Sequence, residues 1–222
     1  MTSRSTAITG PDDFGEAFKV PRETIHRLVL YAELLAEWQA RTNLISAKTL
    51  PEVWDRHFAD SAQLMALAPD AQTWLDLGSG GGFPGLIIAI LAANREGFRM
   101  HLVESTAKKC DFLAEVARAT QTPVDIHCMR IEELARRSAK LDPDIVSARA
   151  CAPLPHLLDL AAPFFRAGTR GLFLKGRNAG REIETARQLW KFDVHLHPSL
   201  TATDSSIVEI TNLAKRPDGK IR

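Results

Sequence analysis

The stretch Asp76-Leu77-Gly78-Ser79-Gly80-Gly81-Gly82 limits the fold of this chain more than any other. Glycines so closely spaced neither extend a strand nor hold a helix. They give a turn that reaches positive φ and lets a ligand lie directly on the backbone. Residues 73–77 before the turn read as a strand, and residues 84–93 after it as a helix. Strand, glycine turn and helix in that order open a doubly wound sheet, whose ligand crevice lies at the carboxyl ends of the strands beside a helix N-terminus. The chain downstream agrees. Further strands are predicted at 99–104, 124–128, 144–148 and 171–175, alternating with helices around 107–119, 131–139, 154–165 and 180–190. Such alternation implies a parallel sheet covered on both faces. Two last strands, 192–197 and 206–213, leave no room for a helix between them. They must form a hairpin, so one strand of the seven should run antiparallel.

Before the first strand, Ile25, Leu28, Val29, Ala32, Leu35 and Trp38 recur at three- to four-residue spacing and predict an amphipathic helix over 22–41. A second helix is expected from Pro51 to about Leu67, with Val53, Trp54, Phe58, Ala62 and Met65 on one side. This divides the chain into a helical extension, 1–72, and an α/β domain, 73–222. The longest apolar run, Leu86 to Ala93, is too short to cross a bilayer, and the first ten residues lack the apolar core of a secretory signal. The three cysteines, Cys110, Cys128 and Cys151, form no CxxC pair, which argues against a disulfide framework or a structural zinc site. A cytoplasmic protein without a metal or a membrane is expected, acting as a monomer.

Charge is uneven along the chain. Residues 1–72 balance at −3 and residues 73–222 at +4. Arg166, Arg170, Lys175, Arg177, Arg181, Arg187 and Lys191 stand against only Glu182 and Glu184 in their segment. Such an excess suits a phosphate backbone, or equally a solvated helix face.

The glycine turn admits two ligands. Gly80-x-Gly82-x-x-Gly85 satisfies the dinucleotide string GxGxxG, but Pro84 falls inside it and Asp76 has no part in gripping a pyrophosphate. An acidic residue at the end of the first strand suits a cationic ligand instead, and Glu104, ending the second strand, suits ribose hydroxyls. S-adenosylmethionine fits both. The expected fold is therefore that of the class I S-adenosylmethionine-dependent methyltransferases, with a nicotinamide oxidoreductase as the competing reading.

The wording of several segments goes beyond the fold. Trp74-Leu-Asp-Leu-Gly-Ser-Gly-Gly-Gly-Phe-Pro-Gly-Leu86 resembles the loop of the GidB family of ribosomal RNA small-subunit methyltransferases. Leu34-Leu-x-x-Trp38, Thr42-Asn-Leu-Ile45 and Arg56-His-Phe-x-Asp-Ser61 are similar to its N-terminal signature. Val103-Glu-Ser-x-x-Lys-Lys-x-x-Phe-Leu113, Arg130-Ile-Glu-Glu133, Ser147-Ala-Arg-Ala150 and Leu174-Lys-Gly176 follow in the family's order. The resemblance covers about 28–213 and departs at Gln39, where the family usually has Asn, and at Cys151, often a larger apolar residue. It implies methyl transfer to N7 of one guanine in 16S ribosomal RNA, in the decoding region, on free RNA or the small subunit. It also implies that Gly78 and Phe83 contact the cofactor, that Ile131 and Glu132 flank its adenine, and that Arg149 lines the meeting point of cofactor and substrate. Gly80 joins them as part of the turn.

N7 of guanine carries a free lone pair, so the reaction needs alignment rather than a base. Arg149 is expected to orient the guanine through O6 or a phosphate, unless it is a structural arginine paired with a carboxylate. Lys175, ending the fifth strand, is expected to meet RNA phosphate. His57 has no proton to take in such chemistry, and a structural hydrogen bond or an RNA contact is the expected role. Trp38, Trp54 and Phe58 are expected in the core. Cys151 raises cytosine-C5 methylation through a cysteine nucleophile, but its context is Cys-Ala-Pro rather than Pro-Cys.

Overall fold

The computed structural model describes residues 7–137 and 141–217. Helices α1 (Pro11–Phe18) and α2 (Arg22–Gln39) lead into a 3₁₀ turn at Ala47–Glu52, a π-helical turn at Trp54–Ala59 and two short helices, α3 (Asp60–Ala62) and α4 (Leu64–Leu67). The α/β part then runs β1 (Thr73–Leu77), α5 (Gly85–Leu91), β2 (Arg99–Glu104), α6 (Ala107–Ala119), β3 (Asp125–Cys128) and α7 (Ile131–Arg137). It continues with β4 (Ile145–Arg149), α8 (Leu154–Ala161), β5 (Arg170–Lys175), α9 (Ala179–Leu189), β6 (Trp190–Pro198) and β7 (Ser206–Lys215). The strands form one sheet in the order β3-β2-β1-β4-β5-β7-β6, and β7 alone runs against the other six. This is the class I methyltransferase arrangement expected from the alternation, with its hairpin at the end.

Side chains alternate across the strands and build two cores. Trp74, Met100, Leu102, Ile145 and Leu172 face α5 and α6 and share one core with Phe14, Leu28, Tyr31, Leu35 and Phe58 of the N-terminal segment. Leu75, Leu77, Val103, Val146 and Phe173 face the other way, onto α8 and α9. Trp38 and Trp54 pack against the first core and Phe58 lies within it, as expected.

Two expectations change. Residues 11–18 form a helix where none was anticipated, with Phe14 wholly buried and its ring 4.6 Å from that of Phe18 in a tilted pair. The single helix expected over 51–67 is instead broken into four pieces. The chain must put Phe58 into the core and His57 and Asp60 toward β4, and one continuous 3.6-residue register does not serve both. The predicted helix over 131–139 is observed to Arg137, and its last two positions lie outside the described residues.

Candidate functional site

The turn after β1 is held from beneath. Asp76 is wholly buried, accepting hydrogen bonds from Ser147 Oγ at 2.8 Å and from the Gly85 N–H at 3.2 Å. Its position on the α5 face requires a glycine opposite, since a Cβ on Gly85 would stand 2.7 Å from the Asp76 Cβ. Burial pushes the carboxyl up to about 6, against the lowering effect of those hydrogen bonds. This carboxylate therefore organises the turn and does not line a cavity, contrary to the expectation that it meets a cationic ligand.

Above it, Gly78, Gly80 and Gly82 take φ of 68°, 56° and 91°. A Cβ on Gly82 would collide with the Tyr31 hydroxyl, which donates to the Gly81 carbonyl. A Cβ on Gly80 would meet only the Gly78 carbonyl at 3.7 Å, so the space over Gly80 is open. Glu104 ends β2 and is 8% exposed, its two oxygens accepting the N–H groups of Gly80 at 3.0 Å and Thr106 at 2.8 Å. The carboxylate thus ties the turn to the start of α6 while keeping further lone pairs for a ligand.

Three cavities meet along this edge. The first, about 450 Å³, is lined by Gly78, Gly80, Phe83, Glu104 and Arg149, with Leu44, Ile45 and His57 opposite. The next, about 340 Å³, is lined by Gly78, Glu104, Ile131 and Glu132. A further one, about 550 Å³, contains Arg149 and Lys175. Apart from Asp76, every cofactor- or substrate-site residue named from the sequence lines at least one of the three, and Gly78, Glu104 and Arg149 each line two.

Arg149 is firmly held. Its guanidinium lies 4.7 Å over the Phe83 ring, donates to the Arg56 carbonyl at 3.1 Å and to His57 Nδ1 at 2.7 Å, and stands 3.7 Å from Asp60 Oδ2. A guanidinium only donates, so Nδ1 of His57 accepts and Nε2 carries the proton toward Thr49 Oγ1 at 2.8 Å. Burial, with the charges of Arg149 and Arg56, lowers the His57 pKa to about 3. His57 is thus a neutral structural acceptor. Ala150, next along, is held at φ 51°, a left-handed conformation uncommon for a residue with a side chain. Lys175 gives its ammonium to Glu182 at 2.9 Å and to the Ala152 carbonyl at 2.6 Å. Burial, then the charge of Asp76, raises the Cys151 thiol, so it is a poor nucleophile.

Some functional neighbours were not anticipated. Gln39, one of the two departures noted in the sequence, donates to the Ile45 carbonyl and accepts the N–H groups of Leu44 and Ile45, fixing the wall opposite the glycines. Asp60 accepts from Thr201 at 2.9 Å, bringing the β6–β7 connection to the cavity. The basic stretch 166–191 does not gather into one surface. Arg170 turns to the Leu67 carbonyl and Glu209 at one end of β5, whereas Lys175 and Arg177 lie at the other.

A family model described as rRNA small subunit methyltransferase G, GidB, matches residues 24–209. A protein of Parvibaculum lavamentivorans named ribosomal RNA small subunit methyltransferase G is 47% identical over 221 residues, 99% of this chain and 96% of its own. A protein of Methylobacterium sp. (strain 4-46) with the same name is 50% identical over 88% of this chain and 92% of its own. Among solved structures, an O-methyltransferase from Bacillus cereus in complex with SAH superposes with a TM-score of 0.58 at 14% identity, covering 82% of this chain and 90% of that one. A point mutant of MtNAS in complex with S-adenosylmethionine gives 0.54 at 14% identity, over 93% and 85%. The solved structures share the fold alone, whereas the family model and the near-half-identical relatives agree on one description from end to end, and by that agreement the chain belongs to the GidB family, the rRNA small subunit methyltransferases G.

Proposed function

We propose that this methyltransferase moves a methyl group from S-adenosylmethionine to N7 of one guanine of 16S ribosomal RNA, in the decoding region, acting in the cytoplasm. The observation that carries the reading is the continuity of the cavities. Gly78 and Glu104 are common to the first two described, and Arg149 joins the first to the third, so one ligand can lie along the glycine turn and present a group at Arg149.

The residues fit this cofactor. The turn offers bare backbone over Gly80 and two carboxylates, Glu104 and Glu132, for hydroxyl and amino groups, with Ile131 as an apolar surface for an adenine. When bound, the cofactor supplies an electrophilic methyl on a sulfonium. The chain's own task is then alignment and exclusion of water. Phe83, 3% exposed and stacked on Tyr31 at 5.5 Å, gives a rigid apolar wall that cannot compete for the methyl. Arg149, locked by His57 and the Arg56 carbonyl, holds that wall, lines both the first and the third cavity and keeps further N–H donors without a hydrogen-bond partner among the described residues. No base is required, in keeping with His57 held neutral and engaged at both nitrogens.

Methyl-labelled cofactor supplied with intact small subunits, and separately with deproteinised 16S RNA, both from cells lacking the enzyme, tests this directly. Label recovered as 7-methylguanosine supports the reading. Label in another nucleoside, or none in either RNA although cofactor binds, would refute it.

A further inference from the structure

The cavity of about 550 Å³ lies between the carboxyl ends of β4 and β5 and the start of β7, and its use rests on the reading just given. The polar groups that line it include an ion pair. Lys175, ending β5, places Nζ 2.9 Å from Oε2 of Glu182 in the first turn of α9. The same ammonium donates to the Ala152 carbonyl, and the same carboxylate oxygen accepts the Leu154 N–H at 2.7 Å. An ammonium has three protons and a carboxylate two oxygens. One proton of Lys175, and Oε1 of Glu182, therefore have no partner among the described residues. Both side chains are anchored and largely enclosed, 9% and 26% exposed.

We propose that this cavity receives the target guanine, with Lys175 donating to O6 and Glu182 accepting from N1–H and the 2-amino group. Guanine sets one acceptor beside two donors along its pairing edge, and the anchored ammonium and carboxylate present the complement. Adenine would turn its 6-amino donor toward the ammonium. Uracil offers O4 and N3–H, but then a second carbonyl toward the carboxylate. With the pairing edge engaged, N7 lies on the other side of O6 and faces Arg149 and the cofactor cavity. The base must then be unpaired or extruded when it reacts.

The test uses small subunits reconstituted with ligated 16S RNA in which the guanine mapped as methyl acceptor is replaced by inosine, which lacks only the 2-amino group. For the wild-type enzyme kcat/KM should fall about tenfold on this replacement, the loss of one hydrogen bond to a charged group. In Glu182→Ala the inosine penalty should shrink to within about twofold, because the partner of the missing amino group is itself gone. If Glu182 only braces Leu154 and Lys175, the variant keeps the full penalty, which overturns the proposal. A wild-type enzyme indifferent to inosine overturns it as well. Should Glu182→Ala no longer bind cofactor, Glu182→Gln replaces it, and a penalty equal to wild type counts against the proposal while a smaller one supports it. If the wild-type enzyme methylates no guanine at all, the underlying reading fails instead.

Discussion

At the scale of single residues, three glycines that look alike in the sequence have different reasons to be glycine. Gly82 is barred from a side chain by the Tyr31 hydroxyl above it. Gly85 sits at the start of a helix with ordinary φ, and its constraint is steric, with Leu102 Cδ2 at 2.5 Å and the Asp76 Cβ at 2.7 Å from any added Cβ. The Asp76 Cβ is fixed to a central strand and cannot retreat, so Gly85→Ala should cost about 1–3 kcal/mol as overpacking. Gly80 has room but a φ of 56°, so Gly80→Ala should fold with a loss of about 1–2 kcal/mol and bind cofactor poorly. Urea midpoints with titration calorimetry of the cofactor separate the two. Similar binding by Gly80→Ala and wild type would remove Gly80 from the site. His57 makes a prediction about pH. Its pKa is lowered from 6.5 to about 3 in the folded chain, so the unfolded chain binds more protons between those values and stability falls as pH drops through that window. Asp76, raised from 3.8 to about 6, acts in the opposite sense over its own narrower window. In His57→Gln the amide still accepts from Arg149 and donates to Thr49 but does not titrate. The stability gap, wild type minus variant, should therefore fall steadily from pH 7 to pH 5. A gap independent of pH would show that His57 is not held neutral.

At the scale of elements, the strands were legible and the irregular helices were not. β1 and β2 are found over the residues expected from the sequence, because a buried parallel strand is a short apolar run with sharp ends. The glycine turn and Glu104 were legible for the same local reason, since spacing along one strand–turn–helix unit defines them. The cluster around Arg149 was not derivable from spacing. His57 stands 92 residues before Arg149, and only the fold brings the π-helical turn against the end of β4. The break at that turn is tertiary in origin as well, since Trp54 packs edge-on against both Phe14 and Phe58 while Asp60 reaches Arg149, Thr201 and Gln63. Asp60 is therefore the joint between the N-terminal helices, β4 and the β6–β7 connection. Asp60→Ala should destabilise by roughly 1–3 kcal/mol, because Thr201 and Gln63 each lose a hydrogen bond and the enclosed Arg149 guanidinium loses its carboxylate at once. In that background Thr201→Val should cost less than it does in wild type. Additive losses on urea unfolding would mean that the two side chains do not act through each other.

At the scale of the whole molecule, the sequence suggested a helical extension over 1–72 attached to a domain over 73–222. The packing argues that this division is one of sequence pattern and not of stability. Phe14, Leu28, Tyr31 and Leu35 lie in one continuous core with Trp74, Leu86, Leu102 and Phe112, all wholly buried. Tyr31 alone stacks on Phe58 and Phe83, lies tilted against Phe112 and bonds the Gly81 carbonyl, so the glycine turn takes its shape partly from α2. If the extension unfolded by itself, the core that it shares with the sheet, α5 and α6 would be opened to water and the turn would lose its Tyr31 contact. The four tryptophans allow a direct test. Trp38 and Trp54 report on the N-terminal helices, and Trp74 and Trp190 on the two faces of the sheet. Paired Trp→Phe variants, one set blind to the helices and the other blind to the sheet, should unfold in urea at the same midpoint and with the same slope, once each is matched to its own circular dichroism transition. The slope should correspond to the whole chain rather than to a part, since it scales with the surface exposed. A helical reporter that melts first, with cofactor binding lost in that earlier step, would instead make residues 1–72 a separable unit that closes over the site.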